Sequence, residues 1–166
     1  MSNKLEAALG GRGSDVEPGR PQPEWAGPPM PHLRVLDDDA GWMLWLPYAT
    51  NPVPMNRNGS RKTWRAEARA VATVRDTAEV LAQRRIPQQQ RIRVRLDWEV
   101  TTKRVRDEDN LVKCMKHLVD GLRIAGVVQD DTREFVERLM PEINLAPASP
   151  TRQAHMRLWI WRLPIV

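Results

Sequence analysis

Apolar positions between residues 32 and 166 recur with two different periods, and each change of period marks a new element. Trp42-Met43-Leu44-Trp45-Leu46 is a short apolar run closed by Pro47 and Pro52, which predicts a buried strand. The polar stretch from Asn56 to Ser60 is loop chemistry. Beyond it Trp64, Ala68, Val71, Val74, Ala78 and Leu81 keep helical spacing and predict a helix over 63–84, with Thr63 as its cap. Arg61, Arg65 and Arg69 form a separate ridge on that helix, one turn apart. Strict alternation follows: Arg91, Arg93, Arg95 and Asp97 point one way, and Ile92, Val94, Leu96, Trp98 and Val100 the other. That pattern predicts a half-buried strand with a basic outer face. Leu111, Met115, Leu118, Val119 and Leu122 predict a second helix over 109–125, with Gly126 at the position just past its end. Two more strands are expected near 134–140 and 154–163, joined through Pro147, Ser149 and Pro150. The order strand, helix, strand, helix, strand, strand gives an α+β domain with a small mixed sheet and two helices.

Composition divides the chain. Residues 1–31 are rich in Gly, Pro, Ser and charge, as in Gly10-Gly11-Arg12-Gly13-Ser14 and Pro28-Pro29-Met30-Pro31. They bury too little apolar surface to offset the entropy of ordering and read as a flexible tail, leaving 32–166 as the folded domain. The single cysteine, Cys114, excludes an internal disulfide framework and fits a reducing cytoplasm. No apolar run reaches the ~18–20 residues that span a bilayer, and Met1 to Gly13 lacks a secretory signal's apolar stretch. The expectation is a soluble cytoplasmic protein with no membrane partner. Residues 1–41 carry a net charge of −3 and residues 42–166 a net of +8. A domain this basic attracts polyanions, and nucleic acid is the commonest inside a cell. The seven tryptophans read mainly as core; Trp64, set among arginines, is a candidate for stacking on a base.

The chemistry concentrates in Arg104-Val105-Arg106-Asp107-Glu108-Asp109-Asn110 and, after the second helix, in Gln129-Asp130-Asp131-Thr132. Asp107 and Asp109, two apart in extended chain, project their carboxylates to one side and repel unless a cation lies between them. Mg²⁺ takes hard oxygen ligands and keeps several waters, so two or three carboxylates suffice. Taken alone, an Asp-x-Asp pair is usually a turn or a helix cap, and Asp130-Asp131 is usually a turn. A helix of about 16 residues is ~24 Å long, so periodicity does not bring its two acidic ends together. Lys113, Lys116 and Asp120 share the face of Asp109, where a lysine can offset charge building on a phosphate. His117 reads as a surface residue and Cys114 as packing.

The run Arg106-Asp107-Glu108-Asp109-Asn110, the helix end Asp120-Gly121-Leu122, then Ala125-Gly126-Val127 and Asp130-Asp131 together resemble the RusA-type Holliday junction resolvases. Asn56-Arg57 and Trp64-Arg65 resemble that family's N-terminal region more loosely. The resemblance covers roughly residues 42–145. It implies that Asp107, Asp109 and Asp131, with Asp130 beside it, hold Mg²⁺, with Mn²⁺ as a substitute, and that Asn110 is the family's neighbouring asparagine. Counting forward from Asp109 makes Lys113 the family's lysine; counting back from Asp120 makes it Lys116, which the helix end favours. The resemblance also implies a phage or prophage origin and a homodimer that resolves four-way junctions by paired nicks, with no small-molecule cofactor. Arg57, Arg61, Lys62, Arg65, Arg69, Arg91, Arg93, Arg95 and Asn110 are the expected DNA contacts. Two alternatives stand beside this reading: a non-catalytic DNA-binding or architectural protein, and a nuclease that prefers flaps or forks.

Overall fold

A computed structural model describes residues 30–54, 61–148 and 152–164, with the backbone alone at 61–63. Most of the expected tail, Arg57, the loop before the first helix and the Ser149-Pro150 connection lie outside these residues.

The fold is α+β: a six-stranded mixed sheet with two helices packed on one face. Its elements in chain order are β1 (His32–Val35), β2 (Gly41–Leu46), α1 (Arg61–Ala82), β3 (Ile92–Val100), α2 (Asp109–Ile124), β4 (Val136–Arg138), β5 (Glu142–Leu145) and β6 (His155–Arg162). Across the sheet the order is β1-β2-β6-β3-β4, with β5 continuing along β3 beyond β4. β4 and β5 both run parallel to β3, whereas β6 is antiparallel to its neighbours β2 and β3.

The alternation along each strand builds two unlike faces. Leu44, Leu46, Ile92, Val94, Leu96, Met156, Leu158 and Ile160 are fully buried and form the core with Val74, Ala78, Leu111, Leu118 and Leu122 of the helices. α1 and α2 pack side by side and parallel: Lys113 ion-pairs with Glu67, and two turns later Gly121 lies against Arg75 and Ala78. Gly121 is required there, because a Cβ would strike the Arg75 carbonyl oxygen and stand 2.9 Å from the Ala78 methyl. α2 ends as its sequence predicts, with Gly126 in the left-handed region at φ +79°.

Several expectations change. The sheet has two more strands, β1 and β5, so the order is β-β-α-β-α-β-β-β. Both lie at sheet margins and are only four residues long, too short to show a period. Helix α1 already includes Arg61, so Thr63 stands inside it and not at its cap. The apolar stripe of α1 is buried only from its middle onward: Trp64 is 68% exposed and Ala68 is exposed as well. Nor are the tryptophans mainly core. Trp42 is buried, Trp98 lies half-buried near the end of β3, and Trp45, Trp159 and Trp161 stand on the face of the sheet away from the helices.

Candidate functional site

Because β2 and β3 run the same way and each leads into a helix that returns across the sheet, both helices start at the carboxyl ends of these strands. Crevices at such strand ends are where open α/β sheets receive ligands. Here the crevice is built by the segments after β2 and after β3. Asn51 Nδ2 donates to the Asn110 carbonyl at 2.7 Å, and Asn51 Oδ1 accepts from Val53 N–H at 3.0 Å, tying the two segments together. Sequence reading missed Asn51. Its only signal was the Asn-Pro pair after an apolar run, which reads as an ordinary turn.

Arg106 shapes the approach to Asp107. Its guanidinium donates to the Thr102 and Arg104 carbonyls at 2.8 and 3.1 Å and to Thr102 Oγ at 2.8 Å, and it lies 5.2 Å from the Trp98 ring. The loop after β3 thus folds round its own arginine. Asp107 Oδ1 then accepts the Asp109 N–H at 3.1 Å, and the Asp107 carbonyl faces Asn110 N–H at 3.3 Å. An aspartate satisfying the first free amides of a helix is a capping arrangement, which the residue types alone allowed. Both aspartates remain exposed, so their other oxygens face solvent. Hollows of about 780 and 490 Å³ flank Asp107, the first running back to Asn51 and Trp98 and the second bounded by Met140 and Ile143.

Cationic groups surround the pair. Lys103 and Arg104 are exposed on the approaching loop, and Arg65 and Arg69 are exposed on the first turns of α1. The Lys113–Glu67 ion pair holds those turns of α1 against the start of α2. Lys113 is therefore already engaged, whereas Lys116, about two turns along from Asp109, is exposed. His117 Nδ1 meets Asp120 Oδ2 at 3.2 Å on the polar side of the helix. Cys114 is fully buried, and burial pushes its thiol up to about 12, which suits packing.

Asp130 and Asp131 fall beyond the far end of α2. Asp130 Oδ1 accepts the Asp131 N–H at 2.7 Å, and Asp131 is held by Arg138 of β4. Among the described residues no group of three or more His, Cys, Asp or Glu side chains is placed to hold a metal ion. Asp107 and Asp109 are brought together; Asp131 does not join them. Two exposed carboxylates fit a Mg²⁺ ion that keeps most of its waters, since that ion is often held by one or two protein carboxylates plus substrate phosphates.

The expected basic face of β3 is not free. Arg93 pairs with Glu137, with Nε 3.1 Å from Oε1, and Arg95 pairs with both Asp97 at 2.8 Å and Glu142 at 2.6 Å. The carboxylates beside Arg95 raise its pKa in spite of its partial desolvation. Arg91 lines a separate hollow of about 690 Å³ with Gln88, Gln89 and Gln129, at the opposite end of β3 from Asp107. Alternation showed which side these arginines take, but not that acidic residues from β4, β5 and β3 itself would meet them there.

Neither protein-family models nor curated proteins give a match to this chain.

Proposed function

We propose that this chain is a divalent-metal-dependent endonuclease acting on branched DNA, of the RusA type. The observation that carries the reading is an exposed carboxylate pair, Asp107 and Asp109, at the shared starting end of two parallel helices, amid exposed cations. Helix starts carry partial positive charge and favour phosphate, and a carboxylate pair among them suits a hard divalent cation.

Asp107 and Asp109 would hold the ion, whose chemistry is polarisation of a phosphoryl oxygen and activation of water. Arg65, Arg69, Lys103 and Arg104 bind backbone phosphates and orient the strand across the crevice. Lys116, exposed where Lys113 is taken up by Glu67, offsets negative charge as it builds on the scissile phosphate. Asn110, anchored through its carbonyl by Asn51, keeps the first turn of α2 in place. A homodimer would present two such ends to the two equivalent strands of a four-way junction.

The test is cleavage of a synthetic four-way junction, with linear duplex and flap DNA as competitors, in Mg²⁺ or Mn²⁺ and then in EDTA. Asp107→Asn is expected to retain junction binding and lose cutting; full cutting by that variant overturns the assignment.

A second reading draws on the Arg138–Asp131 contact, which gives the third carboxylate a cation from its own chain. In it the protein binds branched DNA without cutting it, and the aspartates serve as caps. Tight junction binding with no cutting in any divalent metal selects it.

A further inference from the structure

Arg91 is the arginine of the β3 alternation that no carboxylate takes up. Arg93 is held by Glu137, and Arg95 by Asp97 and Glu142, whereas Arg91 has no acidic partner among the described residues. Its Nε is buried and has no hydrogen-bond acceptor among them. A buried donor on a charged group is costly to leave unmatched, so the site gains by receiving an anion. A guanidinium fits the paired oxygens of a phosphate.

The hollow of about 690 Å³ around Arg91 forms where the chain entering β3 meets the segments that leave α2 and enter β4. Gln89 N–H donates to the Val127 carbonyl at 2.7 Å, and Ile92 N–H to the Phe135 carbonyl at 2.9 Å, which fixes these segments on one another. Gln89 Nε2 is spent on the Pro87 and Gln88 carbonyls, at 2.7 and 3.2 Å, while its amide oxygen keeps its acceptor capacity. Gln88, Gln129 and Glu134 are exposed at the rim. Phe135 packs partly against the core and lines the same hollow.

These groups select the occupant. A cation for one phosphate, an aromatic residue for a planar ring, and amides with a carboxylate for that ring's edge are the parts of a nucleotide site. A paired base keeps its Watson–Crick edge inside the duplex, so the nucleotide is an unpaired one. Glu134 accepts hydrogen bonds and repels an acidic peptide. The exocyclic amino groups of cytosine and adenine donate to such an acceptor, and thymine has no such group. Arg84 and Arg85, just before the hollow in the chain, and Arg133, beside Glu134, are exposed cations that extend a path for the strand's phosphates.

We propose that the Arg91 hollow binds an unpaired nucleotide, with its phosphate on Arg91, its ring against Phe135 and its amino group at Glu134 and the glutamine amides. The hollow lies at the other end of the nine-residue β3 from Asp107, ~30 Å along the strand. It therefore takes a stretch of strand that the acidic pair does not hold. The proposal needs no cutting by Asp107 and Asp109, so it stands or falls apart from the nuclease reading.

The test is an NMR titration of the isotope-labelled full chain, without metal. The probes are trinucleotides of deoxycytidylate, deoxyadenylate and thymidylate, inorganic phosphate, and a hexaglutamate peptide. Shifts are expected at residues 88–91, 129 and 134–135, with the first two trinucleotides binding about fivefold tighter than thymidylate. Arg91→Gln is expected to weaken binding of the deoxycytidylate trinucleotide about tenfold, and Phe135→Leu about fivefold. Because Phe135 also touches the core, Gln129→Ala at an exposed position is the companion variant, with a ~3-fold loss and unchanged melting. Shifts confined to residues 103–110, or wild-type binding by Arg91→Gln, overturn the proposal. So do equal affinity for all three trinucleotides and equal affinity for inorganic phosphate. Tighter binding of the peptide also overturns it and assigns the hollow to an acidic protein segment.

Discussion

Arg138 grips Asp131 at two points: Nη2 donates to the Asp131 carbonyl oxygen at 2.5 Å and lies 3.3 Å from Oδ2. Both side chains are about a third exposed, so the pair stabilises the fold only modestly. Asp131→Asn is therefore expected to change unfolding free energy by under about 1 kcal/mol in urea titrations. If Asp131 also serves the nuclease, the same variant loses cutting with its stability kept. Retained cutting removes Asp131 from the site and leaves Asp107 and Asp109 as its carboxylates.

Gly121→Ala tests the close passage of α2 over α1. Helix propensity favours alanine by about 1 kcal/mol, but the added methyl collides with backbone of α1 that cannot rotate away. Overpacking is expected to win, with a net loss of ~1–3 kcal/mol read from denaturant midpoints. A neutral or stabilising outcome would mean that the helices can separate freely.

Cys114 gives the protein an alkaline limit. The unfolded thiol ionises near its ordinary value of ~8.5, whereas the folded one keeps its proton until about 12. Between those values the unfolded chain binds fewer protons, so stability falls as pH rises, and it is fully present below the lower value. The expected loss is up to about 1.4 kcal/mol per pH unit beyond that of Cys114→Ala, measured by urea unfolding from pH 8 to 10.5. Native protein at pH 8 should also resist a thiol reagent until denatured.

Trp64 lies on the first turns of α1, largely in solvent and next to exposed Arg65. Trp64→Ala is expected to leave the melting temperature unchanged. Under the DNA reading it should lower affinity for DNA with unpaired bases by roughly 5- to 100-fold, with little effect on linear duplex. Fluorescence anisotropy on the two substrates separates these outcomes, and equal loss on both would assign Trp64 a general contact.

The helical and alternating periods located both helices and four strands, β2, β3, β4 and β6, because burying one face forces that spacing on a sequence whatever the neighbours are. The marginal strands β1 and β5 escaped for the same reason. β1 and β5 bury too little to impose a pattern and exist because β2 and β3 offer them free hydrogen bonds. Asp107 and Asp109 were legible as a pair, since two residues of separation fix their proximity locally. Asn51 was not, because its partner Asn110 is 59 residues away.

What the sequence determined by itself was therefore local: the identity of the elements, the glycine stop after α2, the basic balance of the domain and the adjacency of two carboxylates. Tertiary structure alone decided that α1 and α2 start at the same end, that Arg93 and Arg95 meet acids, and that Asp131 meets Arg138 and not the other aspartates. Each of these depends on which strands become neighbours. That choice is made by long-range burial, and no spacing along the chain encodes it.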